Sequence, residues 1–131
     1  MNAVSSTGDT PIDYAILHAL EEDMAGNDSE IMLELIDIFL DDSPARLDSI
    51  GQAMEEGDLR KAEINAHSLK SSAATFGALG LSTLCQRMEL CARTGQQKCL
   101  SEALKAARLE FASAQVALRE QRAKWAKAAI Q

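Results

Sequence analysis

The chain has 131 residues and a net charge of −7, with hydrophobic residues at 47% and aromatics at only 4%. That length suits one domain around a single core, and so few aromatics mean a core of Leu, Ile, Ala and Met, as helical bundles use. The acidic balance argues against a nucleic-acid surface, because phosphate binding requires clustered cations.

In chain order, residues 1–10, rich in Ser, Thr, Asn and Gly, read as a mobile tail. Six helices are predicted from their start and stop signals. The first spans 11–24, capped by Asp9 or Thr10 with Pro11 in its first turn, where proline is tolerated. The second starts at the Asp28-Ser29 cap and carries Ile31, Leu35, Ile38 and Phe39 to Asp42. Ser43-Pro44 restarts the chain as a third, with Leu47, Ile50 and Met54 inward, ending at Gly57. Asp58 caps the fourth, which stops near Gly77; the fifth runs over 81–94 with Leu84, Cys85, Met88 and Cys91 on its apolar face, and Gly95 ends it. The sixth covers about 98–127, with Leu104, Phe111 and Leu118 at heptad spacing, a seam that docks on the bundle or pairs with another copy.

No strand-like alternation of useful length interrupts this pattern. Short connections favour antiparallel neighbours. The expected architecture is all-α: an antiparallel up-and-down four-helix bundle with an extra N-terminal helix and a long C-terminal helix. Its four-helix core is expected over about 29–95, within a single domain spanning 11–131.

No run of about 18 apolar residues is present, nor a charged start ahead of an apolar region. The chain therefore reads as soluble and cytoplasmic, without a membrane partner. Cys85, Cys91 and Cys99 lack the Cys-x-x-Cys spacing of zinc or redox sites; they read as reduced thiols, with Cys85 and Cys91 packing in the core. Di-metal sites in bundles use Glu-x-x-His pairs, of which the chain has none. His18 has no second histidine nearby and reads as a helix-surface or partly buried residue.

The informative segment surrounds His67. A helix advances about 100° per residue, which puts Leu59, Ala62, Ala66, Leu69, Ala73 and Phe76 in one inward stripe. His67 lies well off that stripe. Lys70 and Ser71 stand one turn further on, Glu63 and Ile64 one turn back, and Ala74 and Ala78 continue the row with almost no side chain. This is a solvent-reachable imidazole beside a cation, with small residues that let a bulky partner approach. Ser71, Ala74 and Ala78 leave the approach open, Ile64 offers an apolar contact, and Arg60, two turns back, adds attraction for an anionic group.

The run His67-x-x-Lys70-small-Ser72, closing with Gly77-Ala78, resembles the signature of histidine-containing phosphotransfer (HPt) domains, the four-helix relay modules of two-component signalling. The likeness extends through Phe39-Leu40, Gly57-Asp58, Leu81, Leu84-Cys85, Met88-Glu89 and Arg93, and covers roughly residues 11–96. One departure is Ser71, where the family frequently has glycine; serine narrows the approach slightly.

The resemblance implies that His67 is the phosphoacceptor through Nε2 and that Glu89, at the matching distance on the next helix, bonds Nδ1 and orients the ring. Helix geometry alone leaves Glu63 as a competitor for that task. Lys70 would neutralise charge on the transferring phosphoryl group. The implied function is that of a phosphorelay intermediate, taking a phosphoryl group from a receiver-domain aspartate of a hybrid sensor kinase and passing it to the receiver of a response regulator. The chain would have no kinase activity, since it lacks any glycine-rich phosphate-cradling motif. It would hold no cofactor, the Mg2+ belonging to the receiver. Two rival readings are a phosphoacceptor module served directly by a separate chemotaxis-type histidine kinase, and a non-phosphorylated helical adaptor of signalling proteins.

Overall fold

A computed structural model of the chain describes residues 10–24, 26 and 28–130. Among these, all regular structure is helical: α1 Tyr14–Met24, α2 Ser29–Glu56, α3 Leu59–Thr75, α4 Leu79–Arg93 and α5 Gln97–Ile130. The expected 1–10 tail lies outside the described residues except for Thr10, as does Asp9, one of the two caps expected for the first helix. That cap is in fact Asp13, whose carboxylate accepts from the amides of Ala15 and Ile16 at 3.0 and 3.3 Å. Pro11 therefore precedes the helix instead of sitting in its first turn.

Among the described residues five helices stand where six were expected, because α2 runs straight through Pro44. An interior proline costs about 3 kcal/mol, having no N–H to donate. Against this, Met32, Ile36, Phe39, Ser43, Leu47, Ile50 and Ala53 form one buried stripe that stays in phase across the proline. Burying Leu47 and Ile50 in register with the first half contributes about 3–6 kcal/mol, so one continuous rod wins. Of the apolar residues in its first half, Phe39 is buried while Ile31 and Ile38 are exposed. Asp28 caps the start through the amides of Glu30 and Ile31. Gly57, with φ +75°, ends the helix in the left-handed conformation that glycine adopts without penalty.

Helices α2, α3, α4 and α5 close a ring in which each packs against the next and α5 returns to α2. The four-helix bundle stands, but its members differ from those expected over 29–95. Two of those segments are one helix, and the C-terminal helix is the fourth member rather than an appendage. Connections of two or three residues, 57–58, 76–78 and 94–96, make successive helices antiparallel. The α5 stripe of Leu100, Leu104, Phe111, Leu118 and Trp125 is buried, so its heptad docks on the bundle. Phe39 packs tilted against Phe76 at 4.8 Å and meets Phe111 at 6.2 Å, joining α2 and α5 to the turn that follows α3. The pairs Asp37–Arg122 and Asp48–Arg108 fasten α2 to α5 outside it.

The N-terminal segment closes over the α3–α4 turn. Ile12 is fully buried, and the Asp13 amide donates to the Gly77 carbonyl at 2.7 Å. Gly77 has φ +80°, and a Cβ there would lie 2.5 Å from the Asp13 carbonyl oxygen. Only glycine meets both conditions.

Cys91 and Cys99 are disulfide-bonded, linking the end of α4 to the start of α5, with Cα atoms 5.7 Å apart. This corrects the expectation of three reduced thiols. Cys85 remains a buried free thiol, and burial pushes its pKa up to about 12.

Candidate functional site

The buried stripe of α3 consists of Ala62, Ala66, Leu69 and Ala73. Three alanines in four positions let α4 come close, so a long α4 side chain can reach across to the far flank of α3. Glu89 does this. It stands beside Met88 on the inward side of α4 and is 10% exposed, while His67 is 60% exposed. The Glu89 Oε2 lies 2.9 Å from His67 Nδ1. Lys70 Nζ donates to Oε1 at 2.7 Å, and Arg93 Nη2 donates to Oε2 at 3.2 Å.

One carboxylate thus gathers three nitrogen groups. The Lys70 ammonium, and after it the His67 bond, hold the Glu89 pKa below the usual carboxylate value against the opposing effect of burial. An ionised carboxylate only accepts hydrogen bonds. The proton therefore sits on Nδ1, and a neutral ring keeps its lone pair on Nε2. The arrangement presents an exposed ring held at Nδ1, with two cations, Lys70 and Arg93, on the carboxylate that holds it.

Geometry separates the two carboxylates that compete for the imidazole. Glu63 is taken by arginines: it accepts from Arg93 Nε at 2.9 Å and Arg60 Nη1 at 3.3 Å. Lys70 is less free than an open surface lysine would be; it is 28% exposed and committed to Glu89, and its carbonyl accepts from Ser82 of α4 at 3.1 Å.

Of the small-residue row, Ser71 and Ala74 are exposed as expected, and Ile64 is half exposed. Ala78 is fully buried and does not belong to the open face. The row cannot extend to it because α3 ends at Thr75, and the turn at Gly77 swings Ala78 inward to begin α4. A depression of 250 Å³ opens beside the ring, lined by Arg60, Glu63, Ile64, His67, Ser68 and Glu89. It is smaller than the roughly 300–1,000 Å³ of sites that enclose small molecules, so it suits a group offered by a large partner.

Sequence reasoning missed Leu90, exposed beside Glu89 on α4 and lining a second hollow with Lys70, Gln86 and Arg93. It also gave Arg93 no task, although its position four residues after Glu89 is a helical pairing signal. His18 is an exposed helix residue, with Glu21 3.7 Å away. Among the described residues, no cluster of three His, Cys, Asp or Glu could hold a metal.

A family model described as the Hpt domain matches residues 34–122. The chain belongs to the Hpt domain family. As an Hpt domain it has a histidine-phosphotransfer role in phosphorelays; such proteins are phosphotransfer intermediates and not kinases. The match reaches well into α5, which agrees with that helix being a full member of the bundle. Among solved structures, histidine-containing phosphotransfer protein B from Pseudomonas aeruginosa PAO1 is 28% identical, with a TM-score of 0.80 over 87% of this chain and 96% of that one. Histidine-containing phosphotransfer protein ZmHP2 from maize shares the fold at 22% identity and TM-score 0.78, over 98% of this chain and 94% of that one. No curated protein sequence matches the chain.

Proposed function

We propose that His67 is the phosphoacceptor of this Hpt domain, taking a phosphoryl group from an aspartyl phosphate on one receiver domain and giving it to the aspartate of another. The observation that carries this reading is the His67 Nδ1–Glu89 Oε2 bond at 2.9 Å on an otherwise exposed ring. It leaves Nε2 as the nucleophile. Nε2 attacks phosphorus in line, the N–P bond forms as the P–O bond to the aspartate breaks, and the carboxylate leaves on the receiver. The ring keeps its Nδ1 proton and becomes cationic, and the Glu89 carboxylate stabilises that charge. Passing the group on reverses these steps.

Lys70 neutralises part of the charge on the transferring group from beside the ring. Ile64 and Leu90 give a receiver apolar contacts on either side of the imidazole, Ser71 and Ala74 give it room, and Arg60 supplies long-range attraction. The chain brings no cofactor of its own; Mg2+ belongs to the receiver, as it must neutralise the acyl phosphate there. The donor is the receiver of a hybrid sensor kinase, the acceptor that of a response regulator, and the setting is the cytoplasm. In support of the last point, no helix among the described residues is long and apolar enough to cross a membrane.

The test is transfer from a radiolabelled receiver domain to wild type and His67→Gln. Wild type should take up label that acid removes and alkali spares, as a phosphoramidate requires, and His67→Gln should take up none. Label on His67→Gln would move the site elsewhere. Labelling only by a kinase without any receiver would favour direct phosphorylation.

A further inference from the structure

Glu63 stands one turn before His67, 15% exposed, yet its carboxylate faces arginine and not the imidazole. Its partner Arg93 is shared. Nε donates to Glu63 Oε2 at 2.9 Å, while Nη2 donates at 3.2 Å to Glu89 Oε2, the same oxygen that faces His67 Nδ1. Nε and Nη2 form the edge of a guanidinium that fits both oxygens of a single carboxylate. Arg122 uses that edge in this way on Asp37, at 2.6 and 2.9 Å. On Arg93 the fork is split between two carboxylates.

We infer that Glu63 is a positioning residue for His67, acting through Arg93. By occupying Nε, it keeps Arg93 from closing as a full fork on Glu89. Arg93 is four residues from Glu89 on the same helix and needs only a side-chain rotation to do so. A closed fork would claim Oε2 along its own axis and press on Oε1, where Lys70 sits. His67 would then lose the acceptor that holds its proton on Nδ1. A free imidazole favours the proton on Nε2, which blocks the attacking atom. Glu63 thus guards the tautomer without touching the ring. The effect on transfer rests on the reading of His67 as phosphoacceptor; the effect on the ring does not.

The experiment is nitrogen-15 NMR of the unphosphorylated imidazole in full-length protein, at a pH where the ring is neutral, with circular dichroism as a control for folding. Wild type should hold the proton on Nδ1. Glu63→Ala should shift His67 toward the Nε2–H tautomer and slow transfer roughly tenfold, the lower end of what disturbing the group behind a metal-bound histidine costs. Glu63→Gln should keep the wild-type tautomer, because its amide oxygen still accepts from Arg93 Nε. The decisive variant is Glu63→Ala with Arg93→Ala: removing the competitor should return the proton to Nδ1, so the second substitution repairs the first. A Glu63→Ala ring that keeps Nδ1–H, or a double variant no closer to wild type than the single, overturns the inference. If the tautomers move as described but wild type takes no phosphate, the positioning role stands and the phosphoacceptor reading falls.

Discussion

Lys70 Nζ lies 2.7 Å from Glu89 Oε1, so the lysine one turn from His67 is bound to the same carboxylate that meets His67 Nδ1. On the proposed reading of His67 it has two tasks: balancing Glu89 before transfer and the phosphoryl charge during it. Lys70→Ala should slow transfer by about tenfold to a hundredfold, the rate equivalent of losing a contact worth about 1–3 kcal/mol. Because Glu89 is nearly buried, it should also lower the melting temperature, which an open surface lysine would not. Single-turnover transfer and thermal melts separate the two tasks. An unchanged rate would remove Lys70 from the mechanism.

Much of this site was legible in the sequence. The phase of His67 followed from six apolar positions at helical spacing, all of which are buried or partly buried, and the resemblance pointed to Glu89 across the helix pair. What was illegible depended on tertiary packing. Proline is a local stop signal, but an apolar stripe in phase on both sides overrode it at Pro44. Ala78 obeyed the four-residue spacing from Ala74 and yet is buried, because helical spacing has meaning only while the helix lasts. Cys91 and Cys99 lie eight residues apart, a separation that brings two thiols together only if a tight helical turn falls between them. Arg93 needed two carboxylates on two helices to show its purpose.

The Glu89 pKa is held below the usual 4.5, first by the Lys70 bond. A depressed carboxylate contributes stability that is fully present above its unfolded pKa and is lost as pH falls through the lower folded value. Stability should therefore be flat with respect to Glu89 from neutral pH down to about 5 and decline below 4.5. Glu89→Gln should be less stable than wild type at neutral pH, and the gap should narrow as acid protonates the wild-type carboxylate. Urea unfolding of both proteins across this range checks the sign. A gap that widens in acid would contradict the ion-pair network. The glutamine oxygen can still accept from Nδ1, so transfer should survive better in Glu89→Gln than in Glu89→Ala.

Gly77 ties the N-terminal segment to the end of the helix that carries His67. Alanine there would meet both the left-handed backbone and the Asp13 carbonyl oxygen. Gly77→Ala should destabilise the fold by about 1–3 kcal/mol and release the bond from the Asp13 amide. Faster hydrogen exchange at Asp13, together with a lower melting temperature, is the expected pair of results. Exchange as slow as in wild type would mean that the segment does not depend on this turn.

Cys85 is buried with its pKa raised to about 12, while Cys91 and Cys99 are bonded to each other. Native protein treated with iodoacetamide near neutral pH should therefore resist alkylation at all three positions. Unfolding should expose Cys85 alone, and the other two should react only after a reductant is added. Mass mapping of the labelled peptides distinguishes the steps. Prompt labelling of Cys99 in the native protein without reductant would show the pair to be open in solution.

Ala74 and Ala78 are four residues apart, and the structure assigns them opposite fates. Ala74 is exposed on the His67 side of α3, and a large side chain there meets only solvent until a receiver arrives. Ala74→Trp should fold with stability within about 0.5 kcal/mol of wild type and block transfer by filling the space the partner needs. Ala78 is fully buried where α4 begins, its amide bonded to the Ala73 carbonyl at 2.8 Å. Ala78→Trp forces an indole into a packed interior, at a cost of about 1–3 kcal/mol or more, so its transfer should fall together with its melting temperature. Measuring both quantities for both variants tests the docking face directly. If Ala74→Trp folds and transfers at the wild-type rate, the receiver does not approach over Ala74, and the contacts assigned to Ile64 and Leu90 would have to be re-drawn around another side of the ring.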